Sequence, residues 1–284
     1  MGSIRLAFSP DSDDMFMFWP LLTGKLDTGG LTFRAERADT EALNRRVAAT
    51  DLDVCAVSIA RWPSIAGDYL LLPHGMSVGR GYGPVVVSRT ARPLSSLRGG
   101  RIAVPGLMTT ACITLQLVMP DFEPIVVPIA PYARTFEALR GGEVDAALLI
   151  HEGRLTYARE GFERVCDIGE EWATATNGLP LPLGGNAIRR GLGAELVAMV
   201  SRLCRASVLW ALENREETMR ALLDGESRPD VALDRALLDR YLSMYANADT
   251  LDAPEDVRRA IDELYTRAHR AGLIATQTRA EFAP

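Results

Sequence analysis

Two segments rich in glycine and proline interrupt an otherwise regular alternation of short apolar runs and amphipathic stretches. They are Gly79-Arg80-Gly81-Tyr82-Gly83-Pro84 and Gly178-Leu179-Pro180-Leu181-Pro182-Leu183-Gly184-Gly185. An α/β chain broken twice in this way has few architectures open to it. The first segment looks like a G-x-G phosphate loop only superficially, because no helix opens behind it and a dinucleotide fingerprint requires one. It reads instead as a crossing between two lobes, with glycines that let the backbone approach a ligand closely. The second, rigid and extended, reads as the return crossing. Residues 1–84 and 186–284 then form one discontinuous lobe, and 85–185 the other, with the crossings counted in the second. A length of 284 residues suits two such units better than a single core.

Within each lobe the pattern is strand then helix. Apolar runs at 4–9, 31–37, 54–60, 85–88, 101–105, 124–129, 145–150 and 163–168 are predicted strands. Helices are predicted from about Met15, at 40–47, 111–118, 132–139 and 152–160, and then as three long amphipathic stretches at 194–223, 234–245 and 254–270. Ser12 or Asp13 is the expected cap of the first helix, whose apolar Met15-Phe16-Met17-Phe18-Trp19 is core and which Pro20 should end or bend. The acids of Asp11-Ser12-Asp13-Asp14 do not make a calcium loop, since the required Gly and distal Glu are missing. The fold class that follows is α/β, of the type II periplasmic-binding-protein-like kind, with two αβ lobes joined by two crossing segments around a central cleft.

Polar residues at the carboxyl ends of strands face such a cleft. The run Ala146-Ala147-Leu148-Leu149-Ile150 reads as a strand of a parallel sheet, and it ends in His151, an imidazole that can take or give a proton near neutrality. Glu152, Arg154 and Tyr157 follow it with groups able to orient that ring or hold an anion. Ser58 closes another strand. Gly106 followed by Thr109, Thr110 and Ala111 opens a helix, where free N–H groups and two hydroxyls make a ready anion site. His74 and His269 carry no supporting cluster, and Cys112 reads as an inert buried thiol.

Composition excludes several classes. A net charge of −6 argues against nucleic acid, whose phosphates need clustered Lys and Arg. Cys55, Cys112, Cys166 and Cys204 are too widely spaced for a zinc or redox motif, so no metal site is expected. No window approaches a membrane span, and residues 1–6 show no apolar leader, so a cytoplasmic protein is expected. The oligomeric state, monomer or homodimer, is not readable.

Five stretches together carry a resemblance. They are Ser9-Pro10 with Asp14 and Phe16, the 79–84 segment, Val104-Pro105-Gly106 with Thr109-Thr110-Ala111, Ile150-His151-Glu152-Gly153-Arg154-Leu155-Thr156-Tyr157, and Leu179 to Gly184. In this order they resemble the 1,4-dihydroxy-6-naphthoate synthases of the futalosine route to menaquinone. The resemblance implies a carbon–carbon lyase that converts cyclic dehypoxanthine futalosine to 1,4-dihydroxy-6-naphthoate and releases dihydroxyacetone, a three-carbon fragment. It implies no cofactor, a carboxylated small-molecule substrate, and a histidine base at His151. Asn44, Ser58, Thr109, Thr110 and Ala111 would hold the substrate, with Asp14, Arg80, Gly81, Gly83 and Arg154 set beside the cleft. One departure is that the family often has Asn-Asp where this chain has Asp13-Asp14. A chorismate dehydratase of the same pathway and a non-catalytic small-anion-binding protein are the alternatives.

Overall fold

A computed structural model describes residues 2–129, 131–226 and 233–284. In chain order the strands are β1 (Ser3–Phe8), β2 (Thr32–Arg37), β3 (Val54–Ser58), β4 (Tyr69–Leu71), β5 (Ser77–Gly79), β6 (Val85–Ser88), β7 (Arg101–Val104), β8 (Glu123–Val126), β9 (Ala146–Leu149), β10 (Glu163–Asp167) and β11 (Leu181–Arg189). They form two sheets. The first runs β2-β1-β3-β11-β4, with β5 paired to β11, and the second runs β10-β6-β9-β7-β8.

Each sheet is parallel in one half and antiparallel in the other. β1 lies parallel to β2 and β3, and β7 lies parallel to β8 and β9, as strand–helix–strand units require. The antiparallel partners come from the crossings. β6 leaves the first glycine-rich segment and pairs antiparallel with β9, so the sheet around the His151 strand is mixed, not purely parallel as the run of apolar residues suggested. Covering both faces of a strand produces the same apolar run whichever way its neighbours point. The return segment is itself β11, antiparallel to β3, β4 and β5, and its residues Leu181 to Gly185 are hydrogen-bonded into the first sheet.

Several local expectations are corrected. The first helix is Ser12–Leu22 with Asp11 at its N-cap, and no side chain caps it, so neither Ser12 nor Asp13 has that role. Pro20 does not end it. The Ser207 hydroxyl, on the helix Ala194–Glu213, accepts from Leu21 N at 3.2 Å and donates to Met17 O at 2.6 Å. It thus satisfies the backbone groups that a proline disturbs. The long stretch at 194–223 is broken at Asn214, whose amide turns back to Trp210 O at 2.9 Å, in competition with the helix ladder. The expected helix at 152–160 is a single turn, Gly153–Thr156.

The first crossing packs against Gly169, the second residue of the helix Ile168–Ala175, so closely that a Cβ there would lie 2.0 Å from the Tyr82 carbonyl carbon and 2.5 Å from Gly83 N. Those are backbone atoms and cannot swing aside. Gly169→Ala is therefore expected to cost about 1–3 kcal/mol, read as a fall in Tm, and an unchanged Tm would show that the crossing adjusts freely.

Candidate active site

Between the two sheets lies a cavity of about 720 Å³, counting its open mouth, lined by residues of both lobes. His151 reaches it from the end of β9 with a φ of +49°. A left-handed conformation is uncommon for a residue with a Cβ, and such positions gather where function holds the backbone. Here it turns the ring away from the sheet. Ile150 O is held from behind by the Tyr132 hydroxyl at 2.8 Å, and Gly153 lies so close under the Tyr132 ring that a Cβ would meet it at 2.7 Å.

The partners of the ring come from the other lobe. Nε2 stands 3.2 Å from Asp11 Oδ2 and 3.3 Å from Thr40 Oγ1, while Nδ1 is 3.2 Å from the Tyr241 hydroxyl. Tyr241 donates its proton to Asp13 Oδ1 at 3.0 Å, and Ser77 donates to Asp13 Oδ2 at 2.5 Å. The Tyr241 oxygen is then an acceptor, so Nδ1 carries a hydrogen and Nε2 is the nitrogen that exchanges protons. Asp13 lines the cavity as the acceptor of two hydroxyls, which is how an acid is accommodated at this position.

Next to the histidine, Glu152 reaches across to the first turn of Ser12–Leu22, where its Oε1 accepts from Ser12 N at 3.0 Å and Ser12 Oγ at 2.6 Å. Its Oε2 is buried without a hydrogen-bond partner among the described residues. Burial, then the charge of Asp11, raises the Glu152 carboxyl above its ordinary value near 4.5. Asp14 faces the cavity and accepts from Ser9 N at 2.8 Å. Burial, then Asp13, holds its carboxyl well above the ordinary range. Both groups hold their protons to higher pH in the folded chain than in the unfolded one, so their contribution makes stability fall as pH rises from the ordinary values, about 3.8 for Asp14 and about 4.5 for Glu152, through the folded ones. Glu152→Gln keeps the oxygen that serves Ser12. It should raise Tm at pH 7 and flatten its decline with pH, whereas a slope equal to wild type would refute the assignment.

The sequence-derived residues divide into two groups. Ser58, Thr109, Thr110, Ala111, Asp14 and His151 line the cavity, and Asn44 lies directly behind Ser58. Asn44 donates to Ser58 Oγ at 3.0 Å and accepts from Ser58 N at 2.9 Å, leaving the serine proton free to point at a ligand. The anion site at the helix Thr110–Val118 differs from expectation in its donors. Thr109 Oγ1 caps Cys112 N at 3.2 Å and donates to Gly106 O, while Thr110 Oγ1 accepts from Ala60 N and donates to Leu183 O. Both hydroxyls are thus spent inside the protein. The N–H groups of Thr110 and Ala111, which lie too early in the helix for an intrahelical acceptor, remain for an anion.

Arg80, Gly81, Gly83 and Arg154 do not line the cavity. Arg80 grips Asp249 with two bonds of 2.7 Å and Asp256 with one of 2.7 Å, which ties the first crossing to the C-terminal helices. Gly81 takes a φ of +72° in open space, and Gly83 is packed against Gly169. Arg154 is a structural cation: its Nε donates to Gly83 O at 2.7 Å and its Nη2 to Asp167 at 2.8 Å. Burial raises the Asp167 carboxyl and the Arg154 charge opposes that rise. Among residues not singled out beforehand, Thr40, Ser77 and Tyr241 line the cavity and Asp11 sits behind it. None of these carries a local motif. Cys112 is buried with its thiol pushed up to about 12, which makes it inert near neutrality. Among the described residues no group of His, Cys, Asp and Glu is arranged to hold a metal ion, and no helix is long and apolar enough to cross a membrane.

Two αβ lobes closing on a cavity, with backbone anion donors from a helix start and a histidine from a strand end, define a periplasmic-binding-protein-like fold equipped with acid–base groups. An alkanesulfonate-binding protein from Xanthomonas axonopodis pv. citri, solved with MOPS bound, shares that fold with a TM-score of 0.71 at 14% identity, over 97% of this chain and 95% of that one. The chain belongs to the menaquinone-biosynthesis family, which it matches over residues 4–270. It is 37% identical over 282 residues to the 1,4-dihydroxy-6-naphthoate synthase of Thermus thermophilus, covering 99% of this chain and all of that protein. A crystal structure of an Archaeoglobus fulgidus protein, 42% identical, superposes with a TM-score of 0.88 over 96% of this chain and 98% of that one.

Proposed function

We propose that this protein converts cyclic dehypoxanthine futalosine to 1,4-dihydroxy-6-naphthoate and releases a three-carbon fragment, dihydroxyacetone, with His151 as the general base. The observation that carries the reading is His151 itself, held at a positive φ on the cavity wall with Nδ1 tied to Tyr241 and Nε2 left to exchange a proton. Breaking the carbon–carbon bond needs a proton removed from a substrate hydroxyl or acidified carbon, after which the ring becomes aromatic. A neutral imidazole suits that step. The Thr40 hydroxyl, 3.3 Å from Nε2, supports the reading by showing that this nitrogen is open to a hydroxyl partner on the cavity side.

Charge sets the orientation. The substrate carboxylate belongs on the Thr110 and Ala111 N–H groups and the Ser58 hydroxyl, because Asp11, Asp13 and Glu152 would repel it from the histidine. The hydroxylated fragment then faces His151 and Asp14. Closure of the lobes excludes water from the breaking bond. The same reading carries a cytoplasmic lyase that acts on a carboxylated small molecule without metal or organic cofactor, as a monomer or homodimer.

The test is an end-point assay of the purified protein, with no added metal or cofactor, on cyclic dehypoxanthine futalosine and separately on chorismate, with products identified by mass. Naphthoate from the first alone is the expected result. Enolpyruvylbenzoate from the second, or saturable binding with no turnover of either, would overturn the proposal.

A further inference from the structure

Asp11 is the N-cap residue of Ser12–Leu22, a position where an aspartate ordinarily accepts a hydrogen bond from its own helix, yet its side chain makes no capping bond. It is fully buried and does not line the cavity. Its carboxylate is turned instead toward the other lobe, where Oδ2 stands 3.2 Å from His151 Nε2.

The tautomer defines the role of this carboxylate. With Nδ1 donating to Tyr241, a neutral His151 presents the lone pair of Nε2 toward Asp11, and two acceptors then face each other. That arrangement is relieved when Nε2 takes up a proton, because the carboxylate 3.2 Å away then faces a cation instead of a lone pair. We propose that Asp11 is a positioning residue for the reaction, one that strengthens His151 as a base by stabilising the imidazolium formed when Nε2 receives the substrate's proton. The inference deepens the reading of His151 as the base and rests on it.

The Asp11–His151 contact joins the first helix to the end of β9, from the two sides of the cavity. The other ionisable groups around the ring are Tyr241, with Asp13 behind it, and Glu152, which is committed to Ser12. Of these groups, only Asp11 brings a carboxylate to Nε2. Thr40 also reaches that nitrogen, but it has no charge with which to hold the proton.

The decisive variant is Asp11→Asn, which preserves shape, supplies a capping amide and removes the charge. In it, kcat should fall about tenfold or more with KM within about twofold of wild type, and the acid limb of the pH–rate profile should move down by about one pH unit. A structural role for Asp11 would lower thermal stability without moving that limb. Nitrogen-15 NMR of the imidazole rings supplies a readout independent of turnover. The chain has 3 histidines, so His151 is assigned by comparison with His151→Asn. The His151 ring should lose its second proton at lower pH in Asp11→Asn than in wild type, and the neutral wild-type ring should carry its hydrogen on Nδ1. Asp11→Ser, which also retains a capping residue, should repeat the result if Asp11→Asn does not fold. An unchanged His151 titration in a folded variant overturns the proposal whatever the activity. A wild-type protein that turns over nothing defeats the catalytic reading of His151 separately, because the NMR comparison still shows whether Asp11 holds that proton.

Discussion

Replacing His151 by asparagine should lower kcat on cyclic dehypoxanthine futalosine by about 10²–10⁴-fold, the span that a positioned general base contributes. Asparagine is the informative choice because it tolerates the left-handed region that the backbone occupies at φ +49°, so the turn after β9 survives. Its amide is close to the imidazole in size and can keep one hydrogen bond to the Asp11 or Tyr241 side. It cannot accept a proton at any working pH. A circular dichroism spectrum and a melting temperature near those of wild type would establish that the loss is chemical. Turnover within a few-fold of wild type in that folded variant would remove His151 from the mechanism. KM should change less than kcat, since the seat proposed for the substrate carboxylate lies elsewhere, at the start of the helix Thr110–Val118.

A comparable loss, this time of stability, is expected from Arg154→Ala. The guanidinium is 9% exposed and its partner Asp167 is 2% exposed, so the ion pair lies out of reach of water. Its Nε also satisfies Gly83 O, a carbonyl of the first crossing. Removing the cation leaves a buried carboxylate and that carbonyl uncompensated, which costs about 3–5 kcal/mol. At 2–4 °C per kcal/mol this is a fall in Tm of roughly 6–20 °C. The double variant Arg154→Ala with Asp167→Asn should recover part of the loss, because no uncompensated charge remains. A fall below about 2 °C in the single variant would show that water reaches the pair. If the pair instead contacted substrate, the single variant would lose affinity without losing Tm.

These two positions lie three residues apart in one motif, and the sequence pattern treats them alike. Polar residues after a buried strand are expected to meet a ligand, and His151 does reach the cavity. Arg154 stands one turn further on, and the single helical turn Gly153–Thr156 carries it to the opposite side, against the crossing. Periodicity shows that a strand ends at Ile150, but not which way a one-turn helix points. The glycines at 81 and 83 show the same limit. Gly81 serves only a left-handed turn in open space and Gly83 the close packing of the crossing against Gly169, needs that leave the same trace in sequence as close approach to a ligand.

Local chemistry was sufficient wherever the determining interaction is short in sequence. The apolar runs marked eight of the eleven strands but not β4, β5 or β11, the segments at 79–84 and 178–185 fall where the chain passes from one sheet to the other, and His151, Ser58 and the helix after Gly106 were each marked by a strand or helix end. The tertiary structure decided what those ends are joined to. His151 meets Asp11 across 140 positions, Thr40 across 111 and Tyr241 across 90. The hydroxyls of Thr109 and Thr110 prove to be spent on Gly106, Leu183 and Ala60 rather than on a ligand. The physical reason is that strand and helix formation are governed by neighbours a few residues apart, whereas a hydrogen bond between lobes depends on the summed geometry of every element between its two ends.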